Sequence, residues 1–382
     1  MDNLSEKLFA PLTLNNQVTV KNRLCVAPLT LFAGLEDGRP SEEECRFLNG
    51  RGKDIGLYVL GATGVKAEGL AFIGQPRAFS SADLDALRQR ASLIKKDGAL
   101  AIVQLHHAGA QANPALTKCD PHAPSLVPDW EGPKLHVLTV PEIKSIIEAF
   151  AKATELAIES GYDGVELHGA NNYLLQQFYS AHTNQRTDEY GGSTDEERMR
   201  FILEVVDAVV AVRERLNRPD FIIGYRLSPE EPYPDGLTMD NTLKLVKVLS
   251  QKTLQYLHVS QWNFLKQARR GQGTGSPRLE LIHKAVAGKM ALVGCGGLHD
   301  QESFEQAVTS GYAELYACGN AIMLNPQLGT LLKEGRYAEI ETALDPEKPE
   351  NYRSPQYLWQ MCCQNMGWLP AVKGKEHQRP DA

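Results

Sequence analysis

The sequence of 382 residues predicts an α/β fold in which eight short parallel strands alternate with helices. Each expected strand is a run of consecutive Val, Ile, Leu or Ala residues, as in strands that are buried on both faces. Between these runs, apolar residues recur at helical spacing. The expected strands are Arg23 to Pro28, Ile55 to Ala62, Ala99 to Leu105, Gly164 to His168, Phe221 to Leu227, Leu254 to Val259, Met290 to Cys295 and Ala313 to Cys318.

Residues that cap helices mark the boundaries of the intervening segments. Thr139 precedes Pro141, and Asp300 precedes a periodic apolar set, as N-terminal caps do. Gly161 and Gly311 stand where a helix ends in a left-handed residue before the next strand. The expected helices are Ser41 to Gly50, Ser81 to Lys96, Pro141 to Ser160, Asp195 to Leu216, Thr238 to Gln251, Arg278 to Ala287 and Gln301 to Gly311.

Two folds satisfy this alternation, a closed barrel and a doubly wound open sheet. No strand is followed by the GxGxxG turn of a dinucleotide-binding sheet, which favours the barrel. Polar residues and glycines also recur at the C-terminal ends of different strands, where TIM barrels place their chemistry. The sequence therefore predicts a TIM (β/α)8 barrel. These strand-end residues are Thr30, Gln104, His168, Arg226, Gln261, Gly296 and Gly319.

The segments outside the alternation are expected to close the two mouths of the barrel. Leu8 to Val20, with a turn at Asn15 and Asn16, reads as a hairpin that covers the N-terminal mouth. Long inserts at His106 to Val137 and Gln261 to Pro277 are expected to act as lids or substrate walls on the opposite face. We expect residues 1–370 to form one domain and residues 371–382 to form a flexible tail.

Composition restricts the partners of the protein. Hydrophobic residues make up 42% and charged residues 23% of the chain, as in ordinary globular proteins, and the net charge of −7 argues against nucleic acid as a partner. The seven cysteines contain no CxxC pair, which fits a reducing cytoplasm rather than a disulfide framework. The sequence contains no run of about 18 apolar residues, so no membrane span is predicted. The expected partner is a small molecule, and assembly into a homo-oligomer is left open.

The segment from Gly161 to Leu175 carries the strongest local pattern. His168, Asn171 and Tyr173 follow the fourth strand closely enough for one turn to aim three hydrogen-bonding side chains into the barrel mouth. His and Asn can donate to one substrate oxygen, and Tyr can supply a proton. The structural alternative is equally consistent with the spacing: His168 could cap the strand and Tyr173 could pack in a loop.

Further residues carry a resemblance to a known family. Read with Gln177 to Ser193, this segment resembles the signature of the Old Yellow Enzyme family of FMN-dependent ene-reductases. The openings Leu8 to Leu14 and Val20 to Thr30 are similar to the start of that family, and the likeness continues along nearly the whole chain.

The resemblance implies that residues 1–370 form one FMN-binding barrel. Thr30 would bond flavin O4, Gln104 its pyrimidine edge, and Arg226 would lie beside N1 and O2, where a guanidinium stabilises the negative charge of reduction. The family has Gly-Arg after the eighth strand, whereas this chain has Gly319 and Asn320, so other groups would hold the FMN phosphate. The implied cofactor-binding residues are Pro28, Leu29, Thr30, Ala62, Gln104, Arg226, Gly296, Gly297, Gly319 and Asn320.

The remaining expectations concern the substrate pocket and metals. Phe32 and Trp262 would line the substrate pocket. His106 and His107 are adjacent in a strand and point to opposite sides, so they are poor joint ligands and no metal is expected. Cys362 and Cys363 lack the spacing of the iron–sulfur module that some relatives carry after the barrel.

By resemblance, the activity would be NADH- or NADPH-dependent reduction of an activated C=C bond in an α,β-unsaturated carbonyl or nitro compound. Hydride would pass through flavin N5 in a ping-pong cycle, His168 and Asn171 would bind the substrate oxygen, and Tyr173 would protonate the α-carbon. Two rivals remain: a flavin- or steroid-binding barrel without turnover, and a flavin-free aldolase or isomerase. For the second, Glu166 is the candidate acid–base carboxylate.

Overall fold

Eight parallel strands form a closed barrel in the computed structural model, which describes residues 2–127 and 130–376. Each strand pairs with the next one along the chain, and the last pairs with the first. Both the eight predicted strands and the predicted closure are therefore confirmed. The strands are β1 (Leu24–Val26), β2 (Leu57–Gly64), β3 (Leu100–His106), β4 (Gly164–Gly169), β5 (Ile222–Leu227), β6 (Tyr256–Val259), β7 (Ala291–Cys295) and β8 (Leu315–Cys318).

The register of three neighbouring strands builds a polar layer at one end of the barrel. His168 on β4 lies opposite Arg226 on β5, which lies opposite His258 on β6. Directly opposed residues of parallel strands point to the same face, so these three side chains share the barrel interior. They lie at the C-terminal end of their strands and are all buried.

Helices surround the barrel, and their ends match the capping residues expected from the sequence. Thr139 forms a reciprocal capping box with Glu142, and Gly311 ends its helix with a φ of 66°. A buried ion pair between Arg90 and Glu44, at 2.6 Å, joins the first two helices. The outer helices are α1 (Glu42–Leu48), α2 (Leu84–Lys95), α3 (Val140–Glu159), α4 (Asp195–Arg215), α5 (Met239–Leu249), α6 (Arg278–Val286), α7 (Gln301–Ser310) and α8 (Leu328–Lys333).

The predicted hairpin covers the N-terminal mouth of the barrel. Strands Leu12–Thr13 and Thr19–Val20 pair antiparallel, after a short helix at Asn3–Leu8 that the sequence patterns did not predict. In the turn, the Nδ2 atom of Asn15 donates to the carbonyl oxygens of Leu254 and Lys289 at 2.7 and 2.9 Å. Those carbonyls precede β6 and β7, so the turn is tied to the bottom of the barrel.

The first of the two inserts on the opposite face contains short elements of its own. The first insert, from His106 to Val137, carries two paired strands at His122–Ala123 and His136–Val137. Additional short helices are Ala67–Gly69, Ser81–Asp83, Gly109–Gln111, Pro114–Thr117, Leu174–Tyr179, Asn320–Leu324, Tyr337–Glu339, Pro349–Asn351 and Gln356–Cys363.

The predicted start of the flexible tail, residue 371, lies too early in the sequence. Ala371–Val372 forms a buried strand that pairs with Ala343–Leu344, so the start of the 371–382 segment belongs to the fold. Apolar residues at these positions are covered by neighbours that lie far away in sequence, which the local composition does not reveal. Residues 377–382 lie outside the described residues.

Candidate active site

The turn after β4 places its functional side chains at the C-terminal mouth. Asn171 and Asn172 adopt left-handed conformations with φ of 58° and 59°, which Asn tolerates better than most residues. The chain therefore reverses sharply after the strand, and Tyr173 precedes a new helix, Leu174–Tyr179. The structure thus brings His168 and Tyr173 into contact, as the spacing predicted.

Three aromatic rings meet in this turn. The Tyr173 ring packs edge-on against His168, with centroids 5.0 Å apart, and against His106 at 4.3 Å. The rings of His106 and His168 are 5.4 Å apart. His106, from the end of β3, is therefore a wall of the site that the sequence patterns did not assign. Its Nδ1 atom lies 3.0 Å from Gln75 Nε2, which holds the ring in place.

Burial keeps both His168 and Tyr173 uncharged. The pKa of His168 lies well below its ordinary value, mainly because the ring is desolvated and also because His106 and Arg226 are nearby. Its Nδ1 atom accepts a hydrogen bond from the Ala170 backbone N–H at 3.3 Å, so the neutral ring carries its proton on Nε2. Desolvation raises the pKa of Tyr173, which keeps its hydroxyl protonated. Both groups are therefore neutral hydrogen-bond donors.

Two serines fix the direction of the Asn171 amide. Ser260 donates to Asn171 Oδ1 at 3.0 Å, and Ser228 donates to the same oxygen at 3.3 Å while its hydroxyl accepts from the Asn171 backbone N–H at 2.9 Å. Because the amide oxygen is occupied by two hydroxyl donors, the Nδ2 atom is the group left to face a ligand. Ser228 follows β5 and Ser260 follows β6, so their meeting with Asn171 depends on the pairing of β4, β5 and β6. The sequence patterns did not single out these two serines.

Arg226 supplies a buried positive charge that forms no ion pair with a carboxylate of the described residues. Its side chain is 8% exposed, its Nε atom has no hydrogen-bond partner, and no carboxylate among residues 2–127 and 130–376 forms an ion pair with it. A buried guanidinium whose donors are unsatisfied is costly unless a ligand meets it. This observation fits an electron-rich edge of a flavin at that position.

Glu166 lies below this layer in a closed hydrogen-bond network. It accepts from Gln104 Nε2 at 2.7 Å, from the Tyr256 hydroxyl at 3.0 Å, and lies 2.9 Å from His258 Nδ1. Burial raises the pKa of Glu166, but the charges and hydrogen bonds of His258 and the charge of Arg226 outweigh it and lower the pKa overall. A fully buried carboxylate with this many donors is not a free base, which counts against the aldolase alternative. Gln104 retains its carbonyl oxygen and one amide hydrogen for a ligand.

Close backbone packing shapes the part of the mouth where the sequence predicts cofactor contacts. Gly296 has a φ of 116°, and a Cβ atom there would lie 2.6 Å from the Gln261 carbonyl oxygen. A Cβ atom at Gly61 would lie 2.0 Å from the carbonyl oxygen of Leu29, so β2 packs closely against the Pro28 to Thr30 segment at Gly61, the residue before Ala62. Gly297 has a φ of 68°, and Gly319 precedes the helix Asn320–Leu324. These positions leave bare backbone amides around one side of the mouth.

Phe32 and Trp262, the two residues predicted to line the substrate pocket, differ in their surroundings: Phe32 is packed against other rings, whereas Trp262 is exposed. Phe32 packs edge-on against Phe72 and against Tyr357, at 5.4 and 5.5 Å between centroids. Trp262 is 55% exposed. Beside Asn172, a cavity of about 320 Å³ opens under the first insert. It is lined by Ala110, Gln111, Ala123, Pro124, Val127, Trp130, Asn172, Gln177, His182, Thr183, Glu231 and Tyr233.

Residues 7–339 match the model of the NADH:flavin oxidoreductase / NADH oxidase family. The chain belongs to this family. It is 40% identical, over 97% of that protein's length, to the probable NADH-dependent flavin oxidoreductase YqiG of Bacillus subtilis. It is 33% identical to the NADH:fumarate oxidoreductase of Klebsiella pneumoniae and 31% identical to the NADH:acrylate oxidoreductase of Vibrio harveyi. The chain spans only 39% and 37% of those two proteins, against 93% and 98% of its own length.

A solved structure agrees with this assignment. The Old Yellow Enzyme homologue from Zymomonas mobilis superimposes with a TM-score of 0.75 at 26% identity, over 91% of this chain and 99% of that one. The NADH:flavin oxidoreductase described here is therefore an Old Yellow Enzyme-like TIM barrel that uses FMN and NADH, and the family resemblance read from the sequence is confirmed. No helix among the described residues is long and apolar enough to cross a membrane.

Proposed function

We propose that this oxidoreductase reduces the activated C=C bond of α,β-unsaturated carbonyl or nitro compounds, with NADH as the reductant. The observation that supports the proposal is the contact between the neutral His168 and Tyr173 rings, with Asn171 in the same turn, at the mouth where Arg226 is buried without an ion pair. This set suits a neutral substrate that gains electrons and then a proton.

The residues around the mouth fit FMN. When bound, FMN supplies a two-electron carrier that accepts a hydride from the nicotinamide and delivers it to the substrate. Arg226 and Gln104 would meet the pyrimidine edge, and Thr30 would bond the O4 atom of the same ring. Backbone amides at Gly296, Gly297, Gly319 and Asn320 would receive the phosphate, since Asn320 brings no positive charge.

The substrate oxygen is the group that His168 and Asn171 would bind. A proton on His168 Nε2 and the Nδ2 atom of Asn171 give two donors to one carbonyl or nitro oxygen. Both donors are held before the substrate arrives, so they stabilise the negative charge that develops on the oxygen as hydride adds to the β-carbon. The neutral Tyr173 hydroxyl would then donate its proton to the α-carbon.

The relatives support the class of reaction and leave the compound open. Two of them are named for fumarate and acrylate, which are both α,β-unsaturated carboxylates. Because this chain covers only about two fifths of each relative, the substrates in their names cannot be assigned to this protein.

The test separates the two half-reactions by anaerobic stopped-flow spectroscopy of the holoenzyme. Tyr173→Phe is expected to leave reduction by NADH within about twofold of wild type, and to slow reoxidation by cyclohexenone by about 10²-fold or more, since proton donation is lost. Tyr312→Phe, on the outside of the barrel, is the matched control. Unchanged reoxidation in Tyr173→Phe would refute the proton-donor role. If wild-type protein retained flavin but neither half-reaction proceeded, the binding-only alternative would replace the proposal.

A further inference from the structure

A cluster of metal-ligating side chains lies outside the flavin site, beneath the first insert. Glu68, His107 and His122 each present one ligand atom, and these atoms all lie within 4.8 Å of one another. Glu68 belongs to the short helix after β2, His107 follows β3, and His122 belongs to the insert. Three segments that are distant in sequence therefore meet at one point.

The two histidines have unsatisfied ring nitrogens at this point. The Nε2 atom of His107 and the Nδ1 atom of His122 are buried and have no hydrogen-bond partner among the described residues. His107 is only 2% exposed. Their rings stack at 6.2 Å with an interplanar angle of 24°. A buried polar atom without a partner is costly, and a ligand at the centre of the cluster would remove that cost.

We propose that Glu68, His107 and His122 bind a divalent transition metal ion of the zinc class. Two imidazoles and one carboxylate are a ligand set that suits Zn²⁺, with water as the fourth ligand. Ligand atoms of a tetrahedral site with bonds of about 2.1 Å stand roughly 3.4 Å apart, so ligand atoms that lie up to 4.8 Å apart need to approach by up to about 1.4 Å.

Two interactions of the metal-free protein compete with the ion. The Lys66 ammonium pairs with Glu68 at 2.7 Å and would have to leave. The Gly109 backbone N–H donates to His107 Nδ1 at 3.1 Å, which keeps the ring proton on Nε2, and metal binding would move that proton to Nδ1 at the expense of this contact. Binding should therefore be weaker than in a preformed site, and removal of Lys66 should strengthen it.

The position of the cluster gives the ion a structural role. His122 lies next to Ala123, which lines the 320 Å³ cavity, and the ion would hold this wall against the ends of β2 and β3. The pairing considered from the sequence, His106 with His107, does not form, because His106 faces the Tyr173 ring on the other side. The proposed site therefore uses only one of the two adjacent histidines.

The experiment uses the flavin-loaded protein after removal of metal by a chelator. Zn²⁺ is titrated against a competing indicator dye, and Co²⁺ is followed by its ligand-field bands at wavelengths longer than those of flavin absorption. Wild type should bind one equivalent and should unfold at a higher temperature with the ion than without it. His122→Gln and Glu68→Gln should weaken binding by about tenfold or more. His283→Gln, a surface histidine far from the cluster, is the matched control and should bind like wild type.

A variant that misfolds would also lose Zn²⁺ binding, so a second variant, Lys66→Met, is chosen because it is expected to bind Zn²⁺ more tightly. Removal of one positive charge close to a dication should tighten Zn²⁺ binding by about tenfold. Failure of both wild type and Lys66→Met to bind one equivalent would overturn the proposal. Equal affinity in wild type, Glu68→Gln and His122→Gln would overturn it as well, since the ion would then bind elsewhere.

Discussion

Loss of the Ser260 hydroxyl should weaken catalysis through Asn171 rather than through direct contact with substrate. The Ser260 hydroxyl donates to Asn171 Oδ1 at 3.0 Å, and the Ser228 contact to the same oxygen is longer, at 3.3 Å. In Ser260→Ala, the amide retains only the longer contact, so its oxygen and nitrogen can exchange places more easily. A flipped amide would present an acceptor to the substrate oxygen instead of a donor.

The expected magnitude follows from the number of hydrogen bonds that remain. One neutral hydrogen bond contributes about 1 kcal/mol, so Ser260→Ala should lower kcat/KM for an enone about fivefold. Asn171→Ala removes the donor itself and should cost about 10²- to 10³-fold, as loss of an oxyanion donor does. Added to Asn171→Ala, the Ser260→Ala change should have less than about a twofold further effect, because its target is gone.

The assay is a double-mutant cycle on the oxidative half-reaction, measured with enone under anaerobic conditions. Ser260→Thr keeps a hydroxyl and should recover most of the lost rate, and Ser310→Ala, on the outer helix α7, is the control. Reduction by NADH should be unaffected in all variants. The reasoning would be refuted if Ser260→Ala and Asn171→Ala combined additively, since the serine would then act independently of the amide.

Three further predictions concern charge, packing and strain. Arg226→Met should lower the midpoint potential of the bound flavin by about 30–60 mV in a redox titration, because about 1.5–3 kcal/mol of charge-assisted hydrogen bonding to the reduced form is lost; an unchanged potential would place the guanidinium away from the ring. Arg90→Met leaves Glu44 buried and unpaired and should reduce the free energy of unfolding by about 3–5 kcal/mol in urea titrations; a loss below about 1 kcal/mol, as for an exposed pair, would contradict this prediction. Gly296→Ala should reduce FMN retention on gel filtration, since its Cβ would lie 2.6 Å from a carbonyl oxygen, and full retention would show that the loop relaxes.

The fold could be predicted because its signals are local and repeated. Eight apolar runs, such as Gly164 to His168, could be recognised as buried strands from their composition alone. Thr139 marked the start of one helix, and Gly311 marked the end of another. His168 and Tyr173 were also predictable, since they lie within one turn of a single strand. The family resemblance added roles that spacing alone did not supply.

The partners of these residues depended on contacts across strands. Ser228 and Ser260 reach Asn171 from positions 57 and 89 residues further along the chain, and His106 reaches Tyr173 from the preceding strand. Nothing in the local pattern of a serine distinguishes these two from those on the surface. Strand register placed them, because it decides which side chains share a layer of the barrel interior.

The sequence by itself therefore determined a closed eight-stranded barrel, its polar C-terminal mouth and the turn that carries His168, Asn171 and Tyr173. Only the tertiary structure decided that Arg226 is buried without an ion pair among the described residues, that Glu166 is enclosed by hydrogen bonds, and that Ala371–Val372 belongs to the fold. The physical reason is that periodicity and capping act over a few residues, whereas burial, tautomer and ion pairing depend on which distant segments meet.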